Sequence, residues 1–184
     1  MDFRHLQASL PNFVEFGLIF SGVGWPGPGF WHLRQAGMLD RPLFIELYSM
    51  KNKLFLELAD IKAIAAAAEA EALAHAWAVT IAIVDDGGNM LWLQRLDGAA
   101  PISSLIAPAK ARTSAIGRRE TKMYEDMVNG GRFSFLSAPT LDGMLEGGVP
   151  IMKDGQCLGA VGVSGVKSSE DAQIARAGLA ALGL

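Results

Sequence analysis

Residues 149–164 read VPIMKDGQCLGAVGVS, two apolar runs either side of Asp154-Gly155. Asp-Gly between strand-like runs is a strong hairpin signal, because a two-residue type I′ turn needs positive φ at both central positions. The arms run from Val149 to Lys153 and from Gln156 to Ser164. Upstream, Ala78 to Val84 (AVTIAIV) and Met90 to Leu96 flank Asp85-Asp86-Gly87-Gly88-Asn89, which reads as a second hairpin. Two hairpins predict an antiparallel sheet, and its apolar side needs a covering layer.

Helical patterns surround the hairpins. From about Asp60 to His75 the chain is rich in Ala, the best helix former, and Ile61, Ile64 and Ala68 share one face. A second helix runs from about Ile102 to Ile116, with Pro101 at its start and Gly117 at its end. Thr121 is placed to cap a shorter helix to about Val128. Ser168 is placed to cap the last one, with Asp171 three residues on in place of the capping-box Glu. The order is helix, hairpin, helices, hairpin, helix, an α+β pattern.

Composition narrows the function classes. Sixteen Lys and Arg against nineteen Asp and Glu give no support to nucleic-acid binding, which relies on a basic surface. Cys157 alone excludes an internal disulfide and every multi-cysteine zinc site. No apolar run reaches the roughly 18–20 residues of a membrane span, so no membrane partner is expected and the expected setting is the cytoplasm. The chain changes character near Met50. Residues 1–49 hold nine of the fifteen aromatics yet keep no sustained period, and GVGWPGPG at 22–29 breaks any regular element. As a secretory signal this stretch lacks a basic n-region and a clean cleavage site. An ordered arm packing on a neighbour is one alternative. The favoured expectation is that translation begins at Met50, leaving 1–49 as an extension and 50–184 as the domain.

Most motifs yield to ordinary readings. Gly22-Val23-Gly24-Trp25-Pro26-Gly27 matches G-x-G-x-x-G, but Pro28-Gly29 prevents the helix that a dinucleotide site requires. Gly162-Val163-Ser164-Gly165 approaches a nucleophile elbow, yet Val166 stands where the last glycine belongs. His75, the one histidine after Met50, reads as a helix C-terminal residue facing the dipole. Asp85-Asp86 reads as turn chemistry, and Cys157 as a small buried hydrophobe.

The stretch KARTSAIGRRETK at 110–122 is more informative, with five cations against Glu120 alone. A solvated helix face is the plain reading. The competing one is an anion seat, because Lys110 and Thr113 share a face and Ala107, Ala111 and Ala115 leave room. A second candidate is Glu146-Gly147-Gly148-Val149-Pro150, where Gly-Gly permits close backbone approach.

Taken in order, Ala63 to Ala72 (AIAAAAEAEA), Ala78 to Gly88 (AVTIAIVDDGG), Leu96-Asp97-Gly98 and Ala109 to Thr113 (AKART) resemble the GlcG/HbpS family. The likeness continues through Thr121-Lys122, Asn129-Gly130-Gly131-Arg132, Leu145 to Ile151 (LEGGVPI), Gly159 to Val166 (GAVGVSGV) and Ser169 to Gly178. The family is in turn similar to the C-terminal domain of PduO proteins. The resemblance implies a profilin-like fold in α/β/α layers, an antiparallel sheet of about five strands with helices packed on it. It also implies a homo-oligomer, octamers included, and places a ligand pocket at Lys110, Arg112, Thr113, Glu146, Gly147 and Gly148. Some members bind haem and act in haem sensing or degradation, so haem is the implied cofactor. Lys110 and Arg112 would then lie near the propionates and Thr113 near the iron. With His75 the lone domain histidine, Lys110, Thr113 or a methionine would serve as iron ligand. The alternative is an enzyme or binding protein for a small carboxylate or aromatic acid, with Lys110 fixing the carboxylate and Glu146 as acid or base. A third reading is an oligomerising accessory protein without chemistry.

Overall fold

A computed structural model describes residues 51–184. The expectations for residues 1–49, the G-x-G-x-x-G match among them, lie outside the described residues. Residues 52–184 form one compact unit. Its elements are α1 (Leu58–Ala74), β1 (Thr80–Asp85), β2 (Met90–Arg95), α2 (Ser103–Gly117), α3 (Thr121–Asn129), a 3-10 turn (Phe133–Ser137), β3 (Gly148–Lys153), β4 (Gln156–Ser164) and α4 (Ser168–Ala180). Both hairpins form where Asp154-Gly155 and the Asp85–Asn89 turn predict them. Asp85 holds its turn with one carboxylate oxygen that accepts the N–H groups of Gly87 and Asn89.

The sheet is antiparallel in the order β2-β1-β4-β3. It has four strands among the described residues, one fewer than the resemblance implies. The apolar run Leu54 to Leu56 stays outside the sheet, with the Leu54 N–H bonded to the Gln156 side chain.

The two faces of this sheet are built differently, and residue size explains how. Ile81, Ile83, Val149, Ile151, Val161 and Val163 point to one side, against Ile61, Ile64, Ala68, Ile174 and Ala175 of α1 and α4. Ala82, Val84 and Ala160 point to the other, against Ala107, Ala111 and Ala115 of α2. The first face is a conventional aliphatic layer. The second is nearly all Ala and Gly, so α2 settles almost onto the strand backbone. At Gly162 an added Cβ would collide with the Ala107 carbonyl and meet the Ala111 N at 2.5 Å. α2 therefore sits closer to β4 than any larger residue there would permit.

Two expected caps have other roles. α4 begins one position earlier, with Lys167 as N-cap and its N–H bonded to Glu170, which frees Asp171 for the interior. Thr121 is the first residue of α3 and is fully buried, its hydroxyl turned to Gly148.

Gly162→Ala should destabilise the chain by about 1–3 kcal/mol or more, the cost of overpacking against backbone that cannot yield. Gly178→Ala is the contrast. Its added Cβ would meet the Ile64 γ2 methyl and carbonyl oxygen at 3.1 Å, a tight contact but a looser one than at Gly162, and alanine favours the helix. Thermal melting of the two variants should show a clear loss for the first and a distinctly smaller one for the second.

Candidate functional site

Lys110 lies in the middle of α2 among Ala107, Ala111 and Ser114, and it is buried. Its ammonium is 2.9 Å from Asp171 Oδ2 and donates to the Val163 carbonyl at 3.0 Å. The other Asp171 oxygen accepts the Val166 N–H at 3.2 Å. Both side chains of the pair are 3% exposed. Burial pushes the Asp171 carboxyl up from its usual range, while the Lys110 ammonium and the Val166 N–H pull it back.

The segment before β3 closes over this pair. Gly147 has φ +122°, and a Cβ there would come within 2.7 Å of Lys110 Nζ and 2.8 Å of the Val163 oxygen. Only glycine permits that backbone to seal the pair from water. Gly148 packs on the Lys110 carbonyl, and its N–H donates to Thr121 Oγ1 at 2.9 Å. Thr113 is fully buried, and its hydroxyl accepts the Gly143 N–H at 3.0 Å. Glu146 is half-buried, and its own N–H donates to Glu125 at 2.6 Å. Lys110, Gly147 and Gly148 thus pack on one another, while Thr113 holds the neighbouring loop at Gly143.

That convergence changes the reading of two residues. Lys110 is not a cation on a pocket wall; its charge is matched by Asp171 and its protons face a carbonyl and a carboxylate. Thr113 likewise spends its hydroxyl on a loop. No buried side-chain nitrogen or oxygen among the described residues lacks a partner.

Arg112 does not join them. It is exposed on the outer face of α2, where Ile102, Leu105, Ala109, Arg112 and Ile116 follow the three-and-four spacing of one stripe. Ile102 is 62% exposed and Leu105 75%, far more than apolar residues of a closed surface require. Arg112 makes no ion pair with the described residues, and its stem lies beside Gly88. A cation set in an apolar stripe suits a flat amphiphilic anion.

Other candidates stay separate. A cleft of about 290 Å³ is lined by Glu69, Leu73, Trp77, Leu96 and Asp97, and none of the expected site residues reaches it. His75 stacks on Trp77 with ring centroids 4.3 Å apart and lies 3.3 Å from Glu71. Burial pushes the Cys157 thiol up, which keeps it an inert core group. No group of three or more His, Cys, Asp or Glu among the described residues is arranged to hold a metal. No helix among them is long and apolar enough to cross a membrane.

Sequence reasoning missed Asp171 and Thr121. A signal for Asp171 exists: it falls on the same helical face as Ile174, Ala175 and Gly178, all buried. An acid on an apolar stripe of one helix, and a lysine among alanines on another, are the two halves of a buried pair. Lys110→Met should therefore cost about 3–5 kcal/mol, because it strands the Asp171 carboxylate. Adding Asp171→Leu should recover part of that loss, since no charge then remains buried. Urea denaturation of both variants checks the order.

Comparisons with known proteins agree with this architecture. The family model described as haem degrading protein HbpS-like matches residues 56–180. Protein GlcG of Escherichia coli strain K12 is 55% identical over 115 residues, covering 62% of this chain and 85% of its own. Among solved structures, a double mutant of HbpS from Streptomyces reticuli superposes with a TM-score of 0.68 at 31% identity, over 73% of this chain and 92% of that one. A crystal structure of a PduOC–haem complex gives 0.63 at 29% identity, over 70% and 95%. The chain carries the fold of these proteins, and it belongs to the HbpS-like family.

Proposed function

We propose that the chain is a haem- or tetrapyrrole-binding accessory protein of the GlcG/HbpS type, acting as a homo-oligomer in haem sensing or degradation. The observation that carries this reading is Arg112, an exposed guanidinium within the apolar stripe Ile102, Leu105 and Ile116. A tetrapyrrole offers the matching chemistry, a flat apolar body with carboxylates at one edge. Arg can take a carboxylate through two parallel hydrogen bonds while the ring covers the aliphatic residues. The PduOC relative solved with haem supports the ligand class.

The fit is to the ring and its carboxylates, not to the iron. Lys110 and Thr113, the iron-ligand candidates from sequence, are committed to Asp171, Val163 and Gly143. They do not fit as axial ligands, and no iron chemistry follows from them. Their role in this reading, with Gly147 and Gly148, is to hold α2 rigid behind the docking face. The alternative, a small carboxylate or aromatic acid handled by Lys110 and Glu146, loses its carboxylate anchor when Lys110 is paired internally.

Haemin titration followed by absorbance tests the proposal. The parent should show a saturable band. Arg112→Glu should weaken affinity about tenfold to a hundredfold, the loss of one charge-assisted contact of roughly 1.5–3 kcal/mol. Arg118→Ala, an exposed cation off the stripe, should change little. An unsaturable signal, or equal affinity in Arg112→Glu and the parent, would overturn the proposal.

A further inference from the structure

α1 ends in a strained turn. Ala76 has φ +54°, the left-handed region that glycine enters far more easily. Its N–H bonds to the Leu73 carbonyl, and the Trp77 N–H returns to the Ala72 carbonyl at 2.9 Å. This closure folds the chain back so that Trp77 packs partly against the aliphatic core, while His75 stacks on its ring. No basic residue stands in the last turn of α1, so the negative end of its dipole lacks the usual compensation.

A second turn stands beside the first. β2 runs into Leu96-Asp97-Gly98-Ala99, closed by the Ala99 N–H on the Leu96 carbonyl, with Gly98 at φ +83°. The cleft of about 290 Å³ lies between the two turns. Leu73, Trp77 and Leu96 give it an apolar wall, and Glu69 and Asp97 are its charged lining; no Lys, Arg or His lines it. Asp in a turn commonly bonds its own backbone, as Asp85 does with Gly87 and Asn89. Asp97 makes no such bond. Among the described residues neither Glu69 nor Asp97 joins an ion pair.

We propose that this cleft binds a small aliphatic ammonium ion, its charge between Glu69 and Asp97 and its methylene chain along Trp77 and Leu96. Every electrostatic feature of the site has one sign: two carboxylates and the carbonyl end of α1. An ammonium donates up to three hydrogen bonds and can meet carboxylates from two elements at once. An indole wall adds attraction for an organic cation that it does not offer a neutral chain. A hard metal ion fits poorly, because it needs about six oxygen ligands and this wall is largely hydrocarbon. The volume lies near the lower end of the roughly 300–1,000 Å³ of ligand pockets, which suits a short chain. None of the residues assigned to haem lines this cleft, and its charge repels carboxylates, so the two proposals stand or fall separately.

Calorimetric titration of the full chain with n-pentylamine at low salt, with n-pentanol as the neutral match, tests the proposal. The amine should bind saturably and at least about tenfold more tightly than the alcohol, the contribution of a charge-assisted contact. Glu69→Gln, at the half-buried carboxylate, should weaken amine binding about tenfold, and Asp97→Asn, at the exposed one, about threefold. Asp142→Asn removes the same charge from an exposed loop and should leave the affinity unchanged. Leu73→Lys, at an exposed helical position, should abolish binding by setting its own ammonium in the cleft, with an unchanged melting profile. No saturable binding to the parent, equal affinity for amine and alcohol, or equal losses in Asp142→Asn and Glu69→Gln would overturn the proposal.

Discussion

The ion pair between Lys110 and Asp171 joins layers that the sheet would otherwise keep apart. Lys110 belongs to α2 on one face, Asp171 to α4 on the other, and the two meet at the Val163 carbonyl, near the C-terminal end of β4. A buried pair of this kind adds little net stability over an apolar substitute, yet either charge alone would be costly. Its effect is positional. The ammonium must find its carboxylate, so α2 can slide neither along the sheet nor away from α4.

The small-residue face makes that placement possible. Ala107 and Ala111 rest on Gly162, and Gly143 rests on the Ala109–Lys110 peptide. Where backbone meets backbone this closely, the long Lys110 side chain reaches across to α4 without leaving a void beside it. The loop from Gly143 to Gly148 then closes the remaining side, pinned by Thr113 and Thr121. Glycine at 147 is required by the same closure. The family-like stretches AKART and LEGGVPI are therefore packed backbone to backbone, with Lys110 enclosed between them.

The fold was legible because hairpins and amphipathic helices write their periods locally. Asp154-Gly155 and the Asp85–Asn89 turn fixed both strand pairs, and alanine content marked α1. The sheet order was not legible, since the β1–β4 pairing joins residues some eighty positions apart with no local mark. For the site, Lys110, Gly147 and Gly148 were named and do pack together, but a buried charge was read as an offered one. Lysine is ordinarily exposed, and only its pairing with a distant acid allows Lys110 to be buried. The partner, Asp171, lay sixty-one positions away and resembled a capping residue. Arg112 shared a charge run with Lys110, although one residue along a helix turns a side chain by about 100°. The two cations consequently serve opposite sides of α2.

Lys110 thus lies in the interior and Arg112 on the exposed face of α2, where the proposed ligand would dock. Native-state lysine methylation read by mass spectrometry tests that division most directly. Lys122 and Lys167, both accessible, should label readily in the folded chain, while Lys110 stays unmodified until the protein is denatured. Lys110 labelling as fast as Lys122 under native conditions would contradict the account, because it would mean that the ammonium faces solvent and that the α2–α4 tie is not formed.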